Sequence, residues 1–276
     1  MPKIIKADGD TEEWDGTKLE RSLVQAGATE ATALCIRDTI ERSLASSETT
    51  QEVYRRAFSM LRRQERTAAA RYSLRRAFFE LGPTGHPFED FVAQMFKTEG
   101  WKVEPRRIIS GKCVPHEVDV YATRGNEHLA AELKYHNNRA YKSDIKVALY
   151  VKARFDDIWQ CDPQKQTCPV DRGYLITNTK FTSHAINYAK CSGLSLLGWS
   201  YPHGGSLYDR ITASGLYPVT ALTQLKQSEK RLLIDRSIVT TALLRENRQL
   251  LRELQLTPER IGAIMAEIET LEHELR

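Results

Sequence analysis

The chain has 276 residues, which allows one large domain or two to three small ones. Hydrophobic residues make up 41% of it, enough to fill a core and to exclude an intrinsically disordered chain. Forty basic residues against 36 acidic ones give a net charge of +4, which excludes a histone-like binder but allows a local basic groove. No run approaches the roughly 20 apolar residues that span a bilayer, and the first residues lack the apolar stretch of a signal peptide. We therefore expect a cytoplasmic protein with no membrane partner.

Three regions of different pattern follow one another along the chain. Residues 1–84 indicate a short strand followed by helices and end at the helix-breaking cluster 82–85. Residues 85–215 alternate between helical and strand-like patterns, and residues 216–276 are helical throughout. The sequence predicts an α/β core, with a mixed sheet flanked by helices, between a mostly helical N-terminal domain and an all-helical C-terminal domain.

Apolar residues of the first region recur at helical spacing. Thr17 is expected to cap a helix that carries Leu19 and Leu23 on its apolar face. A second helix is expected to carry Leu34 and Ile40 in the same way.

The second region contains the predicted sheet. Strands are expected at 101–108, 114–123 and 129–135, and the turn at 124–127 joins the last two as a hairpin. A strand–helix–strand unit over 173–199 implies parallel pairing in the same sheet.

Charged residues interrupt two of these apolar strands. By alternation, Val118 and Val120 take one face of their strand and Asp119 takes the other. In the next strand, Glu132 and Lys134 share one face. If the two strands pair through the turn, two carboxylates and one ammonium group converge on one surface.

Two carboxylates are suitable ligands for Mg²⁺ or Mn²⁺, which prefer oxygen atoms. A metal held in this way polarises a phosphoryl oxygen and lowers the pKa of a bound water. A lysine beside it positions that water or offsets developing negative charge. The simpler interpretation is a solvated strand face, although unpaired charges in apolar strands cost on the order of several kcal/mol.

These stretches resemble the PD-(D/E)xK nuclease superfamily, and most closely its Mrr-like restriction endonuclease branch. The resemblance covers residues 85–215 and rests on GHPFEDFV at 85–92, VPHEVDV at 114–120 and AELKYH at 131–136, with the strand–helix–strand unit behind them. It implies a restriction-endonuclease-like fold.

The resemblance also implies roles for individual residues. Asp119 and Glu132 would bind Mg²⁺ or Mn²⁺, Lys134 would be the catalytic lysine, and Glu89 would be an additional acidic residue of the site. Two positions depart from the pattern: Val118 stands where the motif has proline, and Glu132 stands where many Mrr-like enzymes carry glutamine.

Residues 1–84 resemble the ATP-cone, a small nucleotide-sensing domain. The resemblance implies that Lys6 and Lys18 contact the phosphates of ATP or dATP, since ammonium groups suit polyphosphate. The residues that it places near the nucleoside are Glu12, Asp15, Leu19 and Thr50. Ala7 stands where many ATP-cones carry a second basic residue, and the alternative is a helical interaction or dimerisation module.

Residues 233–261 weakly resemble helix-hairpin-helix modules, whose backbone amides approach a nucleic-acid phosphate. The usual glycines are missing, because Leu254, Gln255 and Leu256 occupy the hairpin. A helical scaffold or a dimer contact is the alternative.

These patterns together predict a Mg²⁺-dependent deoxyribonuclease. The expected activity is endonucleolytic hydrolysis of DNA phosphodiester bonds, regulated by ATP or dATP, in restriction and defence or in DNA repair. Because one such site cuts one strand at a time, double-strand cleavage favours a homodimer or a higher homo-oligomer. Two alternatives stay open: a nucleic-acid-binding module that does not cleave, and a nucleotide-responsive regulator.

Overall fold

The computed structural model describes residues 3–5, 11–45, 48–160 and 170–273. Its strands are β1 (Lys3–Ile5), β2 (Thr11–Glu13), β3 (Lys102–Ser110), β4 (Pro115–Arg124), β5 (Glu127–Lys134), β6 (Lys142–Ser143), β7 (Arg172–Thr177), β8 (Lys180–Phe181) and β9 (Ser195–Leu197). Its helices are α1 (Gly16–Gln25), α2 (Glu30–Arg42), α3 (Thr50–Gln64), α4 (Arg66–Tyr72), α5 (Leu74–Phe79), α6 (His86–Thr98), α7 (Ile145–Trp159), α8 (Ser183–Ser192), α9 (Leu207–Ser214), α10 (Gln227–Ile234), α11 (Thr241–Glu246), α12 (Gln249–Glu253) and α13 (Pro258–His273). Within these ranges, no helix is both long enough and apolar enough to cross a membrane.

The first four helices enclose a hydrophobic core of their own. β1 and β2 pair antiparallel, and Ile4 of β1 packs against this core. The buried side chains are Trp14, Leu19, Leu23, Ala28, Ala33, Ile36, Ile40, Val53, Ala57, Leu61, Ala68 and Ala69.

Two expectations for these helices are wrong. Asp15, rather than Thr17, caps α1, since its Oδ1 accepts the Thr17 backbone N–H at 3.0 Å. A carboxylate in the N-cap position satisfies the free amide of the first turn as well as a hydroxyl does. Leu34 is 38% exposed, because the helical period of α2 turns Ala33 and Ile40 inward instead.

A five-stranded sheet in the order β3-β4-β5-β7-β9 forms the centre of the second region. β3, β4 and β5 pair antiparallel, whereas β5, β7 and β9 pair in parallel. Arg124 pairs with Glu127 across a two-residue turn, in which Gly125 adopts a φ of 58° that glycine tolerates without strain. α6 packs on one face, and α7 and α8 pack on the other. The predicted mixed sheet flanked by helices is therefore confirmed.

β5 alternates between the two faces as expected, but β4 does not. Leu129 and Ala131 of β5 join the core on the α6 side, whereas Ala130 joins the core on the α7 side. In β4, Val118 is buried on the α7 side and Val120 on the α6 side. The expectation that these two valines share one face is therefore wrong.

The interruption in β4 lies at Asp119, opposite Arg106 of β3. The residue pairs before and after this position, Arg107 with Val118 and Pro105 with Val120, keep the same register. Asp119 and Arg106 between them do not pair. Arg106 adopts a φ of 52°, which is uncommon for a residue with a side chain. On the other side of β4, pairing with β5 extends only from Val120 onwards. Asp119 is consequently released from both ladders, and the strand changes face at this residue.

α5 and the C-terminal helices share the core on the α6 side of the sheet. Phe78 of α5, Leu233 of α10 and Ile264 of α13 belong to this one cluster of buried residues. The buried Thr220 hydroxyl donates a hydrogen bond to the Ala77 carbonyl at 2.7 Å. The C-terminal helices are thus packed onto the region that carries the sheet.

Gly173 of β7 decides how closely α7 approaches the sheet. A Cβ atom at this position would lie 2.6 Å from the ring of Phe155, a fully buried residue of α7. We expect Gly173→Ala to lower the free energy of unfolding by about 1 to 3 kcal/mol, because the ring has no free space to occupy. Urea unfolding followed by circular dichroism measures this change.

Gly262→Ala in α13 is the matched control. A Cβ atom there meets no atom within 4 Å. Because alanine is the better helix former by about 1 kcal/mol, this variant should be at least as stable as the parent. A Gly173→Ala protein that unfolds at the parental urea concentration would contradict the close contact of α7 with β7.

Candidate active site

Asp119 is held against the end of β5 by one short hydrogen bond. Its Oδ2 accepts the backbone N–H of Leu133 at 2.6 Å. Since Leu133 stands between Glu132 and Lys134, this bond brings the Asp119 carboxylate beside both of them. Among the described residues, no other hydrogen bond to the Asp119 side chain is present.

Glu132 and Lys134 lie side by side on one face of β5. Lys134 Nζ donates to Glu132 Oε1 at 2.6 Å. The Glu132 side chain is 5% exposed and that of Lys134 is 34% exposed, so the acid is buried and the ammonium group lies towards solvent. The structure therefore brings together the three residues that the sequence singled out on β4 and β5.

Arg154 of α7 is a member of this cluster that the sequence did not reveal. Its guanidinium forms an ion pair with Glu132 Oε2 and donates to the Glu117 carbonyl at 3.2 Å. It also donates to the Tyr150 hydroxyl at 2.8 Å. Both carboxylate oxygens of Glu132 thus contact a cation. The spacing of Tyr150 and Arg154 indicates a shared helix face, but nothing local connects that face with β5.

Glu89 lies in the first turn of α6, near Asp119 but without a direct bond to it in the described part of the chain. Its Oε2 accepts from Arg106 at 3.3 Å and lies 3.2 Å from His86 Nδ1. The charge of Glu89 still acts on Asp119, because it raises the pKa of that carboxyl. Glu89 therefore adds to the negative potential of the cluster.

The electrostatic balance differs between the two carboxylates on the strands. The pKa of Asp119 is raised to about 6, first by burial and then by the charge of Glu132. The Leu133 N–H and the Lys134 charge act in the opposite direction and do not compensate. Glu132 pairs with two cations, whereas Asp119 forms no ion pair among the described residues.

Asp119 and Glu132 fit the needs of a hard divalent cation. Both present carboxylate oxygens, and a bound cation would offset the excess of negative charge around Asp119. In the ranges that the structure describes, no group of three or more His, Cys, Asp or Glu side chains could hold a metal ion. Mg²⁺ commonly binds one or two carboxylates and takes its remaining ligands from water and substrate, so two carboxylates are sufficient.

A cavity of about 310 Å³ in the N-terminal region is a second candidate site. It is lined by five of the residues expected near a nucleotide, namely Glu12, Asp15, Lys18, Leu19 and Thr50. Lys18 forms an ion pair with Glu12. Lys6, the sixth expected residue, lies outside the described residues.

Two buried polar atoms at this cavity have no hydrogen-bond partner among the described residues. They are Trp14 Nε1 and the Tyr54 hydroxyl, and both residues line the cavity. Burial raises the pKa of Tyr54 to about 12, so its hydroxyl stays protonated at neutral pH. A buried donor without an acceptor costs about 1 to 3 kcal/mol, and a ligand that carries acceptor atoms would remove this cost. The ring of Tyr54 also stacks on Tyr72, with ring centres 5.0 Å apart.

The raised pKa of Asp119 makes stability depend on pH. The folded state favours the neutral carboxyl. Its contribution to the free energy of unfolding is therefore complete at a pH below 3.8, the ordinary pKa of an aspartate, and is lost as the pH rises through about 6. Asp119→Asn keeps an oxygen for the Leu133 N–H and cannot ionise. We expect it to raise the free energy of unfolding by about 1 to 2 kcal/mol at pH 8, after allowance for partial exposure, with no gain at pH 4. Thermal unfolding at the two pH values measures the difference.

Asp157→Asn should behave in the opposite way. The pKa of Asp157 is lowered, first by its hydrogen bond with His116 and also by those with Cys113 and Val114. At a pH above the ordinary pKa of an aspartate, the ionised form of Asp157 stabilises the fold, and this stabilisation is lost as the pH falls. The variant should therefore melt at a lower temperature than the parent at pH 8. A gain from Asp119→Asn that is equal at pH 4 and pH 8 would show that ionisation of Asp119 is not the cause.

Two solved structures are similar to this chain. The crystal structure of AF1548, a protein of unknown function, is 29% identical with a TM-score of 0.54, and the match covers 68% of this chain and 98% of that one. The MspJI restriction endonuclease, solved in complex with a 27-mer oligonucleotide, is a distant neighbour at 13% identity and a TM-score of 0.36. That match covers 62% of this chain and 36% of the endonuclease.

The sequence comparisons show the family. A protein-family model described as AF1548-like, C-terminal, matches residues 217–272. An uncharacterized protein of Archaeoglobus fulgidus is 32% identical over 176 residues, which are 64% of this chain and 97% of that protein. The chain therefore belongs to the AF1548-like family.

Proposed function

We propose that this protein is a metal-dependent DNA endonuclease that hydrolyses phosphodiester bonds with Asp119, Glu132 and Lys134. The observation that supports it is the unbalanced charge where Asp119 of β4 meets the end of β5. A partly buried carboxylate with a raised pKa, Asp119, is fixed beside a buried acid–lysine pair on the neighbouring strand. Such clusters are costly to stability and occur preferentially at functional sites.

Asp119 and Glu132 would hold Mg²⁺ or Mn²⁺ at this position. The bound ion would polarise a phosphoryl oxygen and make a bound water more acidic. Asp119 is oriented by the Leu133 N–H through Oδ2, which leaves Oδ1 without a hydrogen bond from the described residues. Glu132 is oriented by Lys134 on one oxygen and Arg154 on the other. Both acids are thus fixed before any ligand arrives.

Lys134 would act on the attacking water and on the phosphate. Its Nζ is anchored on Glu132 Oε1, and a third of its side chain is exposed, so its remaining N–H groups can donate outwards. An ammonium group in this place orients a water molecule and offsets the negative charge that develops on the phosphate oxygens. Glu89 is the additional acidic residue of the proposed site.

The biological role that we propose is restriction and defence or DNA repair. Because one cluster of this kind cleaves one strand, we propose that double-strand cleavage uses a homodimer or a higher homo-oligomer.

A plasmid cleavage assay tests the endonuclease. With Mg²⁺ present, the parent protein should nick or linearise supercoiled DNA, and EDTA should abolish the activity. Asp119→Ala removes a ligand and Lys134→Ala removes the group beside the attacking water. We expect each variant to cut at least about a hundredfold more slowly, because groups aimed at developing charge have effects of this size.

Glu127→Gln is the matched control for these variants. Glu127 lies on the same strand, is 50% exposed and pairs with Arg124 at 3.4 Å. This variant should cut at the parental rate. If folded Asp119→Ala and Lys134→Ala proteins cut as fast as the parent, the site is wrongly assigned. Calorimetric titration with Mn²⁺ separates the non-cleaving alternative, for which no divalent cation should bind.

The N-terminal cavity favours a second function, the binding of ATP or dATP as a regulatory ligand. The specific observation is that Trp14 Nε1 and the Tyr54 hydroxyl are buried at the cavity without partners among the described residues. A nucleobase offers acceptors for such donors, and its ring suits the stacked Tyr54 and Tyr72. Lys18, whose side chain is mostly exposed at the cavity rim, would meet the phosphates.

Calorimetric titration with ATP and dATP tests this second function. We expect Lys18→Gln to weaken nucleotide binding about tenfold, because it removes one charged contact to phosphate. Arg21→Gln is the matched control, since Arg21 is an exposed cation of the same helix that donates to Thr17. If the parent protein binds neither nucleotide, the cavity is excluded as a nucleotide site. The same holds if Lys18→Gln and Tyr54→Phe both bind nucleotide as tightly as the parent.

A further inference from the structure

Two arginines meet where α5 contacts the loop that follows β5. Arg75 of α5 donates through one terminal nitrogen to the backbone carbonyl of Arg139 at 3.2 Å. The guanidinium of Arg139 lies over the ring of Phe79, 5.3 Å from its centre. Both side chains therefore lie where α5 contacts this loop, and Arg139 stands a few residues beyond Lys134 in the chain.

Neither arginine has a negative partner at this junction. In the described part of the chain, no carboxylate lies within ion-pair distance of Arg75 or Arg139, and Arg75 Nε is buried without an acceptor. Burial, and then the charge of Arg139, lower the pKa of Arg75. Arg76, the next residue, shows the usual arrangement, since it pairs with Glu80 at 2.7 Å. A half-buried cation that has no counter-ion and lies beside a second cation is unfavourable unless an anion joins them.

The backbone segments that carry the two arginines are joined by hydrogen bonds that need no anion. The Tyr135 hydroxyl donates to the Phe79 carbonyl at 2.9 Å and accepts the Gly82 N–H at 3.1 Å. Asn137 Nδ2 donates to the Pro83 carbonyl at 3.2 Å. These bonds fasten the loop after β5 to the end of α5, so the cost of ordering an anion site is already met by the fold.

Arg75 can be reached from a cavity of about 770 Å³. Tyr72 and Arg75 line this cavity from the N-terminal helices, and Trp199 and His203 line it from the segment after β9. Arg139 is exposed on the surface of the loop. Arg75 is therefore accessible from this cavity, and Arg139 is accessible from the surface of the loop.

We propose that Arg75 and Arg139 form a binding site for a phosphate group, supplied either by a DNA backbone or by a small free phosphate ester. Guanidinium groups bind phosphate through paired N–H donors, and two of them around one phosphate match its charge. The site lies outside the cluster of Asp119, Glu132 and Lys134. The DNA source rests on the proposed endonuclease function, whereas the free phosphate source does not.

The salt dependence of DNA binding tests the first source. Fluorescence anisotropy of a labelled duplex in EDTA, at several KCl concentrations, compares the full-length parent with Arg75→Gln, Arg139→Gln and the control Arg76→Gln. Removal of either proposed arginine should weaken binding and reduce the slope of log K against log salt by about 0.9. Arg139→Gln retains the backbone carbonyl that Arg75 contacts, so it remains informative if Arg75→Gln folds poorly.

Thermal unfolding with inorganic pyrophosphate tests the second source. The melting temperature of the parent should rise on addition of pyrophosphate. This rise should be absent in Arg75→Gln and Arg139→Gln and present in Arg76→Gln. Lys18→Gln identifies any part of the rise that belongs to the N-terminal cavity.

The two sources and the failure of the proposal give different results. Reduced salt slopes identify the DNA backbone, whereas parental DNA binding without the pyrophosphate-induced rise identifies a small phosphate. If both variants match Arg76→Gln in the two experiments, the proposal is overturned. Because neither experiment depends on cleavage, loss of activity in Asp119→Ala is judged separately from this site.

Discussion

The arrangement of the candidate active site depends on one hydrogen bond, from the Leu133 backbone N–H to Asp119 Oδ2. It forms where regular pairing of β4 with β5 stops, so a side-chain carboxylate takes the place of a backbone carbonyl as the acceptor. An amide in a partly buried strand needs an acceptor, and this requirement fixes the carboxylate in position. The acid of one strand is thereby held beside the acid and the lysine of the next.

The two acids that this bond brings together differ electrostatically. Glu132 lies within reach of Lys134 on its own strand and of Arg154 on α7, so its charge is balanced inside the protein. Asp119 receives one uncharged donor, and its pKa is raised first by burial and then by the nearby charges of Glu132 and Glu89. One acid paired with two cations and one acid without an ion pair among the described residues therefore lie side by side.

The packing of helices onto the sheet brings further side chains to the residues on the strands. Arg154 reaches Glu132 because α7 lies close to the sheet, where Gly173 leaves room for the ring of Phe155. α5 and the loop after β5 are joined by Tyr135 and Asn137, so the N-terminal helices touch the chain immediately after Lys134. The candidate active site, the arginine junction and the N-terminal cavity thus lie on elements that contact one another.

Regular features of the fold could be predicted because they depend on neighbours in the chain. The turn at Gly125, the alternation of β5 and the parallel pairing of β7 with β9 follow from local residue preferences and from period. The place of Val118 could not be predicted, because the change of face in β4 depends on Arg106 of another strand. The cap of α1 was missed for a local reason, since Asp15 and Thr17 both carry suitable oxygens.

By itself, the sequence determined the class of the fold and identified the three charged residues on β4 and β5. Both follow from the spacing of hydrophobic residues and the alternation within strands, which depend only on neighbours in the chain. Only the tertiary structure decided that Arg154 pairs with Glu132 and that Asp119 has no cation of its own among the described residues. It also decided that Arg75 and Arg139 meet without a counter-ion in that part of the chain. The physical reason is that charge balance depends on distances between groups far apart in sequence, and packing sets those distances.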